Sequence, residues 1–329
     1  MSENHYTPPF TLSAKAVAMV AEIAALAERF TIRMEQQDAL RLRKVNKVKS
    51  IRSSLAIEGN TLSEEQVTAI LEGRRVVAPL REIQEVKNAI ATYDLYPKLN
   101  PFSIHDLLKA HKTMMTALVD DAGSFRHGGV GVMDGANIVH MAPPAKRVPA
   151  LMEDLFHWLE NAEDHLLVRS CVFHYEFEFI HPFSDGNGRM GRLWQSLVLG
   201  KFHSVFQHLP VETMVHDNQR AYYDALSGST QNADSGVFID FMLGEILRTL
   251  HAHTQPIRHK LGGVSGGANG GVNEVLAYIR KHPACRAGEI AKALDTPLRS
   301  VQRHLAVLKN NGAIEFKGAP KNGGYWVKH

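Results

Sequence analysis

The sequence predicts a mainly α-helical protein made of two parts of unequal size. Apolar residues recur at helical spacing through most of the first 260 residues. Six of the eleven residues in the segment 261–271 are glycine, which is typical of a flexible linker. One stretch, residues 125–144, contains four glycines and breaks the helical pattern, so we expect a small β-hairpin there.

The composition narrows the class of protein. The chain has 329 residues, of which 44% are hydrophobic, and this favours about two globular domains over a disordered or fibrous chain. Cys171 and Cys285 are far apart and neither belongs to a CxxC pair, so we expect neither a disulfide framework nor a structural zinc site. No signal peptide or membrane-spanning run is evident. We therefore expect a cytoplasmic protein that does not associate with membranes.

The first part is predicted to be a series of helices. Ser13 is placed to cap the first, which runs to about residue 30, and a basic second helix follows over residues 36–57. Ser63 and Gln66 form the Ser-x-x-Gln pattern of a capping box, which begins a third helix. Further helices are predicted over residues 80–96, 103–118, 149–161 and 165–180, and another begins at about residue 188.

The interruption between these helices has the features of a hairpin. Two β-prone runs, residues 130–133 and 137–141, flank the turn signal Asp134-Gly135. The pair Pro143-Pro144 follows, and neither a helix nor a central strand would accept it. An irregular loop is the alternative interpretation.

The segment 181–192, HPFSDGNGRMGR, has the features of an anion-binding loop between two helices. Gly186 and Gly188 leave backbone N–H groups unshielded at a helix N-terminus, where the helix dipole favours a phosphate. Asp185 beside them is a hard oxygen ligand of the kind that holds Mg²⁺ on phosphate oxygens. The loop therefore predicts a phosphate site.

Three side chains add reactive chemistry to this loop. Arg189 and Arg192 are three residues apart, so they share a helix face and can both reach phosphate charge. His181 can accept a proton from an incoming hydroxyl. A lone Gly-Asn-Gly is usually a turn, and a lone histidine is more often structural than catalytic. The His-x-x-x-Asp pair of His181 and Asp185 is also compatible with metal binding. The combination instead predicts phosphoryl or nucleotidyl transfer.

The segment also resembles a known family. It matches the motif HxFx(D/E)GNGRxxR of the Fic family at every defined position, and the preceding Phe177–Ile180 is similar to the family's usual Phe-Glu-x-Ile. The resemblance implies a Fic helical core with a hairpin flap, and transfer of AMP from ATP to a protein hydroxyl. It covers roughly residues 80–250, with a regulatory piece upstream. Together with the glycine-rich linker (261–271), this divides the chain into an N-terminal helical region with an inhibitory motif (1–79), a catalytic domain (80–260) and a C-terminal domain (272–329).

The resemblance implies roles for particular residues. His181 would deprotonate a target Ser, Thr or Tyr, Asp185 would hold Mg²⁺ on the α- and β-phosphates, and Phe183 would anchor the loop in the core. The residues expected to contact ATP are Gly186, Asn187, Gly188, Arg189, Met190, Gly191, Arg192, Tyr222, Tyr223 and Asn232. Core packing is the alternative for the tyrosine pair. The hairpin resembles the flap that docks the target by main-chain pairing, through Asn137, Ile138, Val139, His140 and Met141.

An inhibitory element is expected upstream. The sequence from Ser54 to Gly59 matches the (S/T)xxxE(G/N) motif found before the core in one class of Fic proteins. By the same analogy, Glu58 would pair with Arg192 and repel the ATP γ-phosphate. The motif is short enough to occur by chance, in which case Glu58 is a solvated residue at a helix end.

The C-terminal part has a pattern of its own. Helices are predicted over residues 272–282, 287–294 and 297–310, followed by β-prone runs at 313–317 and 325–328. This order of elements resembles the winged-helix family. From residue 271 onward ten Lys or Arg stand against four Asp or Glu, a net charge of +6 in a chain of net charge +3. Arg299, Ser300, Gln302 and Arg303 would lie near the groove-facing end of the third helix. DNA binding through residues 272–329 is one expectation, and protein interaction or dimerisation is the other.

Several functional alternatives remain open at this stage. The leading one is a self-inhibited protein adenylyltransferase that uses ATP and Mg²⁺ and also modifies itself. The reverse reaction, removal of AMP, is a second, and transfer from another donor is a third. A DNA-binding regulator with a nucleotide-sensing Fic core is the alternative from another class. A homodimer is possible in each case.

Overall fold

The structure, a computed structural model, describes residues 6–34, 39–134, 137–207, 209, 211–254, 270–294, 296–310, 313–318 and 323–328. The chain divides into two compact units, Met1–Pro256 and Ile257–His329. The predicted linker lies outside the described residues up to residue 269. No helix of the described ranges is long and apolar enough to cross a bilayer.

The first unit is mainly helical, as the sequence predicts. Its helices are α1 (Ala14–Met34), α2 (Ala39–Ile57), α3 (Glu64–Leu71), α4 (Leu80–Leu95), α5 (Ile104–Met115), α6 (Val148–Asn161), α7 (Leu166–Ile180), α8 (Asn187–Phe202), α9 (Val211–Asp217), α10 (Gln219–Asn232) and α11 (Gly236–Thr254). Strands β1 (Gly131–Asp134) and β2 (Asn137–Met141) lie between α5 and α6.

Helix α7 lies at the centre of this unit. It packs against α6, α8 and α11, and apolar side chains on all its sides are buried, among them Val168, Phe173 and Phe177. A helix that is apolar all round is an interior helix, because no face of it prefers water. The C-terminal end of α7 is therefore a rigid support for the loop that follows it.

Local signals place the helix ends. The Ser63 hydroxyl accepts a hydrogen bond from the Gln66 N–H, and the Gln66 side chain accepts one from the Ser63 N–H, which confirms the predicted capping box. Ser103 caps α5 in the same way through the Asp106 N–H. Helix α1 continues to Met34 rather than ending near residue 30, because no glycine or proline stands between these positions.

The predicted hairpin is present. Strands β1 and β2 pair antiparallel, with Gly131 opposite Met141 and Asp134 opposite Asn137. The register shifts between Val132 and Met133, which is the signature of a β-bulge. Gly135, the second residue of the predicted turn, lies outside the described residues.

The second unit has its own core. It contains α12 (Gly270–Lys281), α13 (Ala287–Ala293), α14 (Leu298–Asn310) and the antiparallel strands β3 (Ile314–Lys317) and β4 (Gly324–Val327). The Tyr325 N–H donates to the Cys285 carbonyl and the Ala284 N–H donates to the Tyr325 carbonyl, which attaches the turn before α13 to β4. Val275, Ile290 and Val301 lie in one buried cluster. Helix α12 begins at Gly270, inside the predicted linker.

Candidate active site

The loop between α7 and α8, together with the start of α8, holds His181 and the predicted residues 185–192. Helix α7 ends at His181, which adopts a left-handed conformation (φ 51°, ψ 62°) and donates its N–H to the Phe177 carbonyl. Gly186, also left-handed (φ 86°), precedes α8. Between them Phe183 is buried and stacks on the His111 ring at 3.6 Å between ring centroids. Phe183 therefore anchors the loop in the core.

Asn187 closes the loop on itself. Its Oδ1 accepts from the Phe183 N–H and its Nδ2 donates to the Phe183 carbonyl, both at 2.9 Å. Both polar ends of this buried side chain are thus used within the loop. The backbone N–H of Asn187, at the positive end of α8, is a further donor for an anion.

Two glycines allow other groups to approach the backbone closely. A Cβ on Gly186 would lie 2.7 Å from the Met115 sulfur. A Cβ on Gly188 would lie 2.7 Å from Oε1 of Glu58 and 2.9 Å from Nη1 of Arg192. The Glu58 carboxylate therefore lies directly against the first turn of α8.

Arg192 and Ser54, which are buried, form one cluster with the partly exposed Glu58. Nη2 of Arg192 donates to Oε1 of Glu58 at 2.7 Å and to the Ser54 carbonyl at 3.1 Å, and Nε donates to the Ser54 hydroxyl at 3.4 Å. Burial by itself lowers the pKa of the Arg192 guanidinium, but Glu58, together with Tyr222 and Glu178, more than offsets this, so the pKa is raised. The structure thus brings the three residues of the expected inhibitory contact together.

Arg189 has hydrogen-bonding capacity that the described residues do not use. Its Nη2 donates to Oδ1 of Asp185 at 3.0 Å, while its buried Nε and Nη1 find no hydrogen-bond partner in the described part of the chain. Unpartnered buried donors on a cation cost free energy unless an acceptor arrives. An anionic group at the N-terminus of α8 would supply that acceptor.

Asp185 is suited to hold Mg²⁺ together with phosphate oxygens. One carboxylate oxygen accepts from Arg189 and from the Gly186 N–H, and the other lies 3.6 Å from Nη2 of Arg81. Among the described residues no group of three or more His, Cys, Asp or Glu could hold a metal alone. Mg²⁺ commonly takes one or two carboxylates and completes its shell with substrate phosphates and water, so the single partly exposed Asp185 fits.

His181 lies on the α7 side of the loop. Its Nδ1 is 3.3 Å from the Glu178 carbonyl oxygen. Because a carbonyl oxygen only accepts, this contact requires the proton on Nδ1 and leaves the lone pair of the neutral imidazole on Nε2. The ring is therefore in the tautomer that a general base needs.

Two residues beside the loop, the buried His111 and the mostly buried Glu178, were not predicted. Nδ1 of His111 accepts from the Gly123 N–H, so its Nε2 donates to the Asp185 carbonyl at 3.0 Å. Glu178 is enclosed by α7 and α8, and burial raises the pKa of its carboxyl to about 7. Its Oε1 has no hydrogen-bond partner within the described ranges. A glutamate in the otherwise apolar run 177–180 was the available signal.

The remaining residues expected to contact ATP differ in burial and in their distance from the loop. Tyr222 is buried and shares a hydrogen bond with Nε2 of His174 at 3.0 Å, whereas Tyr223 is half exposed. Met190 is fully buried, and Gly191 packs against Glu178. Asn232 ends α10 and lines a surface pocket of about 400 Å³ with Thr11 and Asp240, none of which belongs to the loop. No described contact joins Asn232 to the loop.

The hairpin expected to dock a target is described through its backbone. Only the last of its five predicted docking residues, Met141, has a described side chain, and that side chain is largely exposed. The Ala142 N–H donates to the Val130 carbonyl and closes the base of the hairpin. The side chains of residues 132–140 lie outside the described part of the chain.

Comparison with known proteins places these features in one family. The profile of the Fic/DOC family matches residues 101–199, which contain the hairpin, the loop and most of α8. The crystal structure of a Fic family protein from Desulfovibrio desulfuricans matches with a TM-score of 0.75 and 41% sequence identity, and the match covers 98% of each chain.

Two curated relatives carry a name that describes an activity. Protein adenylyltransferase fic-1 from Caenorhabditis briggsae is 28% identical over 251 residues, which are 71% of this chain and 47% of that protein. Its counterpart from Caenorhabditis elegans is 33% identical over 174 residues, which are 49% of this chain and 33% of that protein. The chain thus spans less than half the length of these relatives.

Proposed function

This chain belongs to the Fic family, and from that premise we propose that it is a nucleotidyltransferase that moves AMP from ATP to a Ser, Thr or Tyr hydroxyl of a protein, including itself. The observation that carries the proposal is the meeting of three features in one loop. These are a base tautomer at His181, the open N-terminus of α8, and the unpartnered donors of Arg189. The names of the curated relatives support the same reaction.

The reaction assigns one role to each group. Nε2 of His181 takes the proton of the target hydroxyl, whose oxygen forms a bond to the α-phosphorus as the bond to the β-phosphate oxygen breaks and pyrophosphate leaves. Arg189 and the first turn of α8 stabilise the phosphate charge that develops. Holding hydroxyl, base and phosphate in line supplies much of the remaining rate enhancement.

Asp185 is the residue that would hold Mg²⁺. The ion, when bound, neutralises charge on the phosphates and orients them. The contact of Arg189 with Asp185 holds the carboxylate in place beside the α8 N-terminus. His111 fixes the backbone of the same residue from the other side through its Nε2–H.

Glu58 is proposed to inhibit this reaction. Its carboxylate takes Nη2 of Arg192 and lies against Gly188, where the phosphate tail of ATP would lie. A negative charge at this position both occupies a cation and repels the incoming phosphate. Replacing Glu58 therefore releases Arg192 for the nucleotide.

The first prediction concerns this contact. Glu58→Gly is expected to raise AMP transfer and self-modification at least about ten-fold, because about 1.4 kcal/mol of lost competition already gives that factor. His181→Ala is expected to abolish both. Purified proteins are incubated with Mg²⁺ and ATP labelled in the α-phosphate, and the adduct is located by mass spectrometry.

A matched control separates this effect from a general one. Glu72 ends α3 and pairs with Arg74 at 2.8 Å, as Glu58 ends α2 and pairs with Arg192, but the Glu72 pair is exposed and lies outside the loop. Glu72→Gly should leave transfer unchanged. Equal labelling of the wild type, Glu58→Gly and His181→Ala would refute the proposed transfer.

The reverse reaction has a distinct outcome in the same assay. Glu58 is partly exposed, so its carboxylate could also orient a water molecule for hydrolysis of an AMP adduct. Wild-type protein added to a labelled adduct would then release AMP, and Glu58→Gly would not. Retention of the label by the wild type assigns transfer alone.

For the second unit we propose DNA binding by a winged helix. The favouring observation is that Arg299, Gln302 and Arg303 are exposed on α14 while Val301 and Leu305 on its other face are buried. An exposed basic helix face fits a phosphate backbone. Binding of duplex DNA that weakens with salt and with Arg299→Ala plus Arg303→Ala supports this, and no binding at low salt contradicts it.

A further inference from the structure

Arg126 is a buried cation whose described hydrogen bonds all end on backbone carbonyls. Nε donates to His181 at 2.7 Å and Nη1 to Gly128 at 2.8 Å. Nη2 donates to Pro143 at 2.6 Å and to Ile180 at 3.2 Å. The backbone N–H of Arg126 also donates to the Pro182 carbonyl at 2.9 Å. One residue therefore contacts three consecutive carbonyls of the catalytic loop and two segments elsewhere.

The carbonyls belong to two functional elements. Ile180 and His181 lie at the C-terminal end of α7, where carbonyls lack partners within the helix and where a positive charge is favourable. Gly128 and Pro143 flank the β1–β2 hairpin, one before it and one after it. A planar guanidinium has separate donors on three nitrogens, so it can donate to these four carbonyls at the same time.

The conformation of His181 makes this contact consequential. A non-glycine residue in the left-handed region costs about 1–2 kcal/mol and persists only where its surroundings hold it. At His181 the N–H is held by Phe177 and the carbonyl by Arg126. Rotation of the peptide between His181 and Pro182 would move the imidazole. Arg126 opposes that rotation because its Nε holds the His181 carbonyl and its backbone N–H holds the Pro182 carbonyl.

We propose that Arg126 is a positioning residue that locks the β1–β2 hairpin to His181, so that a target segment paired with the hairpin presents its hydroxyl at a fixed distance from the base. The inference rests on the proposed transfer reaction. It adds the residue that fixes the position of the docking hairpin relative to the His181 base. Arg126 touches neither ATP nor target in this assignment. Its effect is on the rate of the chemical step.

The kinetic test uses the full chain with Glu58→Gly, in which transfer is measurable. Arg126→Lys keeps the charge, but its three donors lie on one nitrogen and cannot span the four carbonyls. The kcat of transfer should fall about 10- to 100-fold, because a misplacement of about 1 Å can have that effect, while the KM for ATP stays within about two-fold. Arg126→Gln is measured beside it, so that the result does not depend on one variant.

Arg169 provides a matched control. It lies on α7, and its Nη1 donates to the backbone carbonyls of Leu159 at 2.7 Å and Glu160 at 3.3 Å at the end of α6. Burial lowers the pKa of both arginines. Arg169→Lys removes a comparable helix-end contact away from the catalytic loop, so kcat should stay within about two-fold. An equal loss of kcat in both variants overturns the proposal.

Hydrogen exchange tests the coupling without any activity. In Arg126→Lys, amides of the hairpin and of residues 181–187 should exchange faster together, while α1 and α11 keep their protection. Faster exchange in only one of the two segments, or in neither, overturns the inference. If Glu58→Gly transfers no AMP at all, the proposed function fails, and the exchange result still decides whether Arg126 couples hairpin and loop.

Discussion

Glu178 illustrates at the scale of a single residue how the site combines buried charge with shape. Its carboxyl lies between α7 and α8, 3.9 Å from Nε2 of His174 and 4.0 Å from Nδ1 of His181. A Cβ on Gly191 would lie 2.8 Å from its Oε1. Because Gly191 on α8 has no side chain, it leaves the space that the Glu178 carboxyl on α7 occupies.

The raised pKa of Glu178 predicts a pH-dependent stability. The folded protein binds this proton more tightly than the unfolded chain, since the pKa is about 7 in the structure against 4.5 as the ordinary value. The stabilisation is present below about pH 4.5 and is lost as the pH rises through 7. Two to three pKa units correspond to about 3 kcal/mol.

Glu178→Gln isolates this contribution because the amide has nearly the same shape and does not titrate. Relative to Glu178→Gln, the wild type should lose about 3 kcal/mol of unfolding free energy between pH 4.5 and pH 8. Urea unfolding of both proteins at several pH values measures the difference. If the difference in unfolding free energy between the two proteins does not change with pH, ionisation of the Glu178 carboxyl does not destabilise the folded state.

At the scale of elements, α2 holds the inhibitory contact in place. Ser54 and Glu58 are near its C-terminal end, and Ile51 and Leu55 on the same helix are buried in the core. The position of Glu58 over α8 thus depends on the packing of α2 as a whole. A helix that is loosely packed would release Arg192 without any change at Glu58.

Leu55→Ala is therefore expected to activate the wild-type chain. Truncating a fully buried leucine costs about 2–5 kcal/mol, and here the loss falls on the helix that carries Glu58. Transfer of labelled AMP should increase, although less than in Glu58→Gly. Leu159→Ala in α6, an equally buried truncation away from α2, should lower stability without raising transfer. Equal activities for the two variants would contradict a role of α2 packing.

The elements also show which features could be predicted from sequence. The capping box at Ser63 and the hairpin between Pro-rich and Gly-rich segments are local patterns, and both were predicted with bounds close to those observed. The loop motif itself was legible because its residues are contiguous. The role of Arg126 could not be predicted, since its partners are backbone carbonyls up to 56 residues away and carbonyls have no sequence signature.

Similar limits apply to single side chains. His111 reaches the Asp185 carbonyl across 74 residues, and Asn187 turns its amide into its own loop rather than toward a ligand. For Tyr222 the sequence left two possibilities, because a tyrosine pair can line a nucleotide pocket or pack in the core. Its contacts with His174 and Phe238 show that it is buried. The partners and the burial of each of these side chains depend on tertiary contacts.

At the scale of the whole molecule, the chain consists of two units with separate cores. The smaller core contains Ile279, Ile290 and Leu305 and shares no residue with the larger one. Separate cores predict separate unfolding transitions, because cooperativity follows shared packing. The contrast in net charge between the two parts of the sequence follows the same division.

Ile290→Ala tests this independence in the full chain. The substitution should destabilise the second unit by about 2–5 kcal/mol, enough to shift or remove its calorimetric transition, and leave that of the first unit unchanged. Leu298→Ala, which truncates an exposed side chain of the same unit, should change stability by no more than about 0.5 kcal/mol. A single transition that moves as a whole with Ile290→Ala would show that the two units unfold together.

The contact between Glu58 and Arg192 has a further consequence in the order of synthesis. The two residues are 134 positions apart, and the carboxylate comes first. The residues of α2 therefore leave the ribosome before those of the catalytic loop, while α9, against which α2 packs, follows the loop. On the proposed inhibition, every chain therefore carries its inhibitory carboxylate before its catalytic loop is complete.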